Sequence, residues 1–112
     1  MSKYKIILTP LALEHLQRIA DYITNTFQAP DIALRWLDRM EWAIASLETM
    51  PLSNVLVEDE PWHNRGVRRM FERNYFVYYV VDEVASVVRV LAVVYARRDQ
   101  LTQLGELLGN DS

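Results

Sequence analysis

The chain of 112 residues contains no cysteine, which excludes a disulfide framework and a zinc site built on thiolates. It has only three glycines, and the sequence contains no glycine-rich phosphate-binding loop. The two histidines are far apart in sequence, so we expect neither a metal nor a cofactor. No run of eighteen apolar residues occurs, and the N-terminal apolar run is too short for a secretory signal. These absences are typical of a cytoplasmic protein that has no membrane segment.

The composition is that of one globular domain, since 51% of the residues are hydrophobic and 24% are charged. We expect a single domain over residues 1–112, with a core over 1–98. Residues 99–112 form a tail whose four leucines have the spacing of a short helix.

Charge is divided unevenly along the chain, although the net charge is only -3. Residues 1–60 carry nine acidic and five basic side chains, whereas residues 61–98 carry seven arginines and three acidic residues. Ten of the twelve basic residues are arginines, which suit planar contacts with phosphate or carboxylate groups. The second half of the chain therefore favours an anionic partner, although scattered arginines also commonly solvate the exposed face of a sheet.

The first half of the sequence predicts a strand followed by two helices. "YKIILT" (4–9) alternates like a short strand, and Thr9 followed by Pro10 is a typical helix start. Apolar residues at helical spacing predict a helix over 10–27. "QAPD" (28–31) breaks this pattern, and a second helix follows that Pro51 closes. So short a connection predicts an antiparallel helical hairpin.

The second half predicts three strands after a loop over 51–65, at 66–72, 75–81 and 86–95. In the first of them, Val67, Arg69 and Phe71 share one face and Arg68 lies on the other. We therefore expect an α+β fold, with an N-terminal strand, the helical hairpin and three antiparallel strands. The sheet is expected to be mostly antiparallel, with the helices on one face and the other face partly open.

Several stretches together resemble the RelE/ParE superfamily of toxins from type II toxin–antitoxin pairs. "YKIILTPLALEHLQRIADYI" resembles the family's first strand and helix, and "AIASLETMP" resembles the end of its second helix. "GVRRMFERNYFVYYVVD" resembles its Gly-x-Arg strand and the aromatic strand after it. "VRVLAVVYARRD" resembles its final strand, which ends in a basic pair. The resemblance covers nearly the whole chain and implies a RelE/ParE-like fold.

The resemblance also implies a set of cationic contact residues. Arg98 matches the position of a functional arginine in the RNA-cutting members, and Arg97 lies beside it. Because adjacent strand residues point to opposite faces, at most one of the two should face the open side of the sheet. We expect that residue to be Arg98. The alternative is an ion pair with Asp99 or with an acid of the first helix. The residues expected to contact the target or the antitoxin are Arg68, Arg69, Arg73, Arg97 and Arg98.

Two activities occur in the superfamily, and the sequence favours one of them. The RelE-like members cleave messenger RNA on the ribosome and typically carry arginine in Tyr-Arg-x-x-Tyr, where this chain has Phe76. The ParE-like members inhibit DNA gyrase, which requires a binding surface and no proton relay. The sequence therefore favours a gyrase inhibitor of the plasmid-stabilisation type. If the chain is a ribonuclease, the candidate catalytic residues are Arg98, Arg68, His63 and Tyr95, whereas His15 is expected at the surface.

The resemblance implies a cognate antitoxin with an acidic segment that folds when it binds the toxin. The target is expected to be gyrase or the ribosome with its messenger RNA. A non-toxic interaction module, using an exposed Trp62, is the alternative from another class. Sequence-specific DNA binding is disfavoured, because both predicted helices lie in the acidic half of the chain.

Overall fold

The protein is described here by a computed structural model that covers residues 3–96. The described chain forms a four-stranded sheet and two helices, and none of its helices is long and apolar enough to cross a membrane. The elements in chain order are β1 (Lys5–Leu8), α1 (Pro10–Phe27), α2 (Pro30–Ala45), β2 (Arg68–Glu72), β3 (Tyr75–Asp82) and β4 (Val87–Tyr95). A single 3-10 turn, Ser46–Glu48, extends the end of α2.

The helix boundaries follow from local chemistry. Thr9 has extended backbone angles and its side chain accepts a hydrogen bond from the Ala12 N–H, so it caps α1 as predicted. Gln28 takes a left-handed conformation with a φ of 50° and ends α1. Pro30 then begins α2 at a position where its missing N–H has no cost. The predicted helix over 10–27 and the antiparallel hairpin are confirmed.

The sheet has the strand order β1-β4-β3-β2 and is mixed. The β2–β3 and β3–β4 pairs are antiparallel, as predicted, while β1 lies parallel to β4. The parallel pair is possible because the whole helical hairpin and two further strands separate β1 from β4 in sequence. At the β2–β3 turn it is Arg73 that adopts a positive φ, of 56°, and not the neighbouring asparagine.

A β-bulge interrupts the pairing of β3 with β4. Tyr78 pairs with Ala92 but the next residue, Tyr79, pairs with Val90, so Leu91 has no partner on β3. Because the bulge adds one residue to β4, the alternation of side chains between the two faces of the sheet shifts by one position at Leu91. The bulge therefore changes which side chains of β4 share a face.

Each face of the sheet has its own hydrophobic cluster. The face covered by α1 and α2, called the helix face below, carries Val77, Tyr79, Val88, Val90 and Val93 against apolar residues of the helices.

The opposite face, called the loop face, carries Tyr78, Ala92 and Val94, which pack with Val57 and Trp62 of the segment over 51–66. The expectation that Trp62 is exposed is wrong. Its side chain is only 5% exposed, because the loop folds back and uses the indole to cover the sheet.

Candidate functional site

The two arginines of β2 point to opposite faces and have different surroundings. Arg68 shares the helix-face side of β2 with Met70, at the outer edge of the sheet. Its Nη1 donates hydrogen bonds to the Asn54 carbonyl at 2.7 Å and to the Leu52 carbonyl at 3.4 Å. The guanidinium of Arg68 therefore anchors the loop to β2.

Arg69 lies on the loop face and contacts aromatic rings. Its guanidinium carbon is 4.3 Å from the centroid of the Phe76 ring, and Phe76 makes an edge-to-face contact with Phe71 at 5.4 Å. The Phe71 side chain is 59% exposed. These three residues form a continuous surface of one cation and two rings, called the arginine–aromatic strip below.

Tyr78 lies beneath this strip and is fully buried. Its ring centroid is 6.1 Å from that of Phe76, and its hydroxyl forms no hydrogen bond of ordinary geometry with the described residues. Burial raises the pKa of the Tyr78 hydroxyl, and the nearby Arg69 opposes this shift. Tyr78 is therefore held neutral at physiological pH and supports the strip from below.

Two further arginines belong to the loop face and are not among the predicted site residues. Arg89 pairs across the strands with Val80, a residue of the loop-face cluster, so the exposed Arg89 side chain stands on the same face. Arg65 lies over the Trp62 ring at 5.5 Å. The alternation of side chains along β4 could have indicated the face on which Arg89 lies. The position of Arg65 depends instead on how the loop folds back.

The other predicted contact residues do not join this group within the described chain. Arg73 occupies the β2–β3 turn, where its Nε lies 4.0 Å from a carboxylate oxygen of Glu72. Arg97 and Arg98 lie outside the described residues. Of the five predicted arginines, Arg69 is therefore the one that the structure places on the loop face together with Arg65 and Arg89.

His15 is buried, and the expectation that it lies at the surface is wrong. Its side chain is 6% exposed, and its Nδ1 accepts a hydrogen bond of 3.1 Å from the Val93 N–H. β1 ends opposite Val90, and no other strand of the described chain follows it along β4, so His15 of α1 supplies the acceptor for Val93. Burial lowers the pKa of His15, with a smaller upward effect from Glu14, so the ring is neutral.

A groove of about 680 Å³ lies between α1 and the end of β4. Tyr22 and Phe27, both mostly exposed, form part of its α1 side. Its lining is His15, Arg18, Ile19, Tyr22, Ile23, Phe27, Asn74, Tyr75, Val93, Val94 and Tyr95. The groove is thus mainly apolar and lies on the helix side of the sheet, away from the arginine–aromatic strip.

The model of the ParE toxin family of type II toxin–antitoxin systems (parDE) matches residues 6–100 of this sequence. The chain belongs to this family. No curated protein sequence matches it significantly.

Solved structures of toxins from such systems share the fold of this ParE-family chain. The chromosomal ParDE system from P. aeruginosa is 18% identical over 84% of this chain and 97% of that chain, with a TM-score of 0.69. The RelBE2 toxin–antitoxin complex from Mycobacterium tuberculosis is 21% identical over 85% of this chain and 93% of that chain, with a TM-score of 0.61. A mutant of E. coli RelE in the free state is 15% identical over 92% of this chain and 93% of that chain, with a TM-score of 0.59. These likenesses confirm the predicted RelE/ParE-like α+β fold.

Three of the four candidate catalytic residues of this ParE-family toxin lie apart in the described structure, and the fourth, Arg98, lies outside the described residues. His63 is in the loop, and its Nδ1 lies 3.0 Å from the Val57 carbonyl oxygen, an arrangement that requires the ring to donate there. Tyr95 belongs to the other side of the sheet, where its ring contacts Tyr75 at 5.4 Å and lines the groove. Arg68 is bonded to loop carbonyls at the sheet edge. A shared reaction centre would need these groups within hydrogen-bond reach of one phosphate.

Proposed function

We propose that this ParE-family toxin stops growth by binding DNA gyrase through its loop face, and that a cognate antitoxin neutralises it. The proposal rests chiefly on the environment of Phe76. At the position where RelE-like toxins are expected to carry an arginine, the phenyl ring packs between Arg69 and Phe71. A ring at this position cannot neutralise phosphate charge, but it adds apolar contact area to a protein-binding surface.

The arginine–aromatic strip has the chemistry of an interface hot spot. Arginine and aromatic side chains dominate the binding energy of protein interfaces when they are desolvated together. Arg69 is already stacked on Phe76 in the free protein, so little side-chain freedom is lost when a partner binds. Arg65 and Arg89 add positive charge on the same face, which favours an acidic protein surface and speeds its association.

Cleavage of messenger RNA on the ribosome is the second candidate, and the positions of the proton-transfer candidates count against it. His63 and Tyr95 lie on opposite sides of the sheet, and the Arg68 guanidinium is engaged by two carbonyls. Arg97 and Arg98 remain proposed contact residues under either activity.

The proposed antitoxin presents an acidic segment to the basic part of the chain. Residues 61–98 carry seven arginines against three acidic side chains, so the complex should weaken as salt is added. Both proposed targets are cytoplasmic, and we place the toxin there. The non-toxic interaction module loses its expected anchor, because Trp62 is buried within the protein.

The proposal is tested by measuring gyrase supercoiling beside ribosome-dependent cleavage of a message with the same purified protein. We expect inhibition of supercoiling while the message stays intact. Arg69→Ala should weaken inhibition by about tenfold, because it removes the cation of the strip. Arg35→Ala is the matched control, since its side chain is 74% exposed on α2 and should leave inhibition unchanged.

Message cleavage with normal supercoiling would overturn the gyrase proposal. In that case Arg98→Ala should lower the cleavage rate by more than about tenfold, as expected when a cation is lost from a phosphate site. Induced expression without growth arrest would instead favour the non-toxic module.

A further inference from the structure

Asn54 lies where the loop over 51–66 crosses the outer edge of the sheet. Its Nδ2 donates a hydrogen bond of 3.1 Å to the Tyr79 hydroxyl, which donates in turn to the Pro51 carbonyl at 2.6 Å. The Asn54 carbonyl accepts the bond of 2.7 Å from Arg68. Side chains from two strands therefore hold Asn54, one through its side chain and the other through its backbone.

The residue after Asn54, Val55, lies on the loop face, whereas Asn54 is bonded from the helix face. Leu56 pairs with Arg68 in an antiparallel bridge, so Val55 stands opposite Arg69 on the loop face. The Arg69 N–H agrees with this register, because it donates to the Val55 carbonyl at 3.1 Å. The bonds that hold Asn54 thus determine where the chain passes onto the loop face.

Val55 extends the arginine–aromatic strip by one apolar side chain. It is 68% exposed and stands beside Arg69, on the far side from Phe76. The guanidinium of the strip therefore has apolar surface on both sides, which excludes water from a carboxylate bound there. The partner segment that fits this surface carries an acidic side chain next to an apolar one.

We propose that Asn54 is a positioning residue for the loop face, because it fixes Val55 beside Arg69 as a further contact for the partner protein. This inference rests on the proposed function, in which the loop face binds gyrase. A contact that is already ordered in the free toxin loses little freedom on binding, so the bonds made by Asn54 raise the affinity although Asn54 itself does not touch the partner.

The ¹⁵N relaxation of the Val55 amide in the full-length protein tests the positioning without gyrase. A rigid backbone amide has an order parameter of about 0.85, and a flexible one falls below about 0.6. We expect the first value in the wild type and the second in Asn54→Ala, which lacks the side-chain donor. Val77 of β3 should keep the rigid value in both proteins, which would show that the sheet is intact.

The matched control for this measurement is Asn64→Ala. Asn64 belongs to the same loop, but it bonds Glu60 through its backbone N–H, which alanine keeps. The control should leave the order parameter of the Val55 amide unchanged. An equal loss of order in both variants would overturn the assignment to Asn54, because any change in the loop would then loosen Val55.

Inhibition of gyrase supercoiling tests the contact that Asn54 positions. Val55→Ser should weaken inhibition about fivefold, because it removes an apolar contact beside the cation. Asn54→Ala should weaken inhibition by a similar factor. When it is added to Val55→Ser, it should weaken inhibition by less than about twofold further, since it acts through Val55.

Two further results would overturn the inference. One is a Val55 amide that stays rigid in Asn54→Ala, and the other is a double variant in which the two losses of inhibition multiply. If the wild type leaves supercoiling unaffected, the gyrase proposal fails instead, and the relaxation measurement by itself decides whether Asn54 positions Val55.

Discussion

Replacing His15 by leucine is expected to destabilise the protein at neutral pH. The change removes the acceptor of the buried Val93 N–H, which costs about 1–3 kcal/mol when a buried donor is left without a partner. It also removes the unpartnered Nε2 donor, which offsets part of that cost. A net loss of about 1–2 kcal/mol follows, equivalent to a fall in Tm of roughly 4–8 °C for a chain of this size.

The same substitution should change how stability depends on pH. Burial lowers the pKa of His15 below its ordinary value of 6.5, so the native state resists a proton that the unfolded chain takes up. The wild type therefore loses stability as the pH falls below about 6.5, by at most about 1.4 kcal/mol per pH unit from this group. The leucine variant lacks this loss. The difference in free energy of unfolding between the wild type and the variant should therefore become smaller as the pH falls.

Urea denaturation followed by far-UV circular dichroism at pH 7.5 and pH 5.5 measures both effects. All other titrating groups are common to the two proteins, so the comparison isolates His15. If the difference in free energy of unfolding is the same or larger at pH 5.5, His15 is not held neutral by burial. A variant as stable as the wild type at pH 7.5 would show that the bond to Val93 contributes little.

Three further tests, two of them with a matched control substitution, probe contacts that hold the sheet to its surroundings. Tyr79→Phe should cost about 1–2 kcal/mol in urea denaturation, because the Tyr79 hydroxyl bonds a loop carbonyl at 2.6 Å. Tyr78→Phe should cost much less, since that hydroxyl forms no hydrogen bond of ordinary geometry with the described residues. Equal losses in the two variants would contradict this reasoning. Thr9→Ala should lower stability by about 1–2 kcal/mol in thermal melts, since it removes the α1 cap and a bond to β4, and Thr9→Ser should retain most of it. Arg68→Met should accelerate proteolysis within 51–66, because the loop loses two hydrogen bonds, and an unchanged cleavage rate would exclude that anchoring role.

The secondary structure was predictable because its signals are local. Thr9 and Pro10 begin α1, and Pro30 begins α2, through effects that act within one helical turn. The β-branched and aromatic runs of β3 and β4 predict strands that the structure confirms. The parallel pairing of β1 with β4 was not predicted, because it joins residues about eighty positions apart in sequence.

The candidate site was less predictable, because it depends on register and on loop packing. Arg68 and Arg69 alternate as expected, but only the folded loop places carbonyls within reach of Arg68. The contribution of Arg89 depends on the strand to which β4 is paired. Trp62 and His15 are buried by contacts with distant strands, which no local pattern around either residue indicates.

The sequence by itself determined the helical hairpin, the three C-terminal strands and the concentration of arginine in the second half of the chain. These depend on propensity, capping and composition, which act over a few residues. Tertiary structure alone decided which arginine stacks on an aromatic ring, which one binds the loop, and how far β1 extends along β4. The two arginine contacts depend on the register of β2 with β3 and on the folded loop, and the reach of β1 along β4 depends on the unequal lengths of these two strands. A shift of one residue in pairing moves a side chain to the opposite face, so they are settled only when the strands meet.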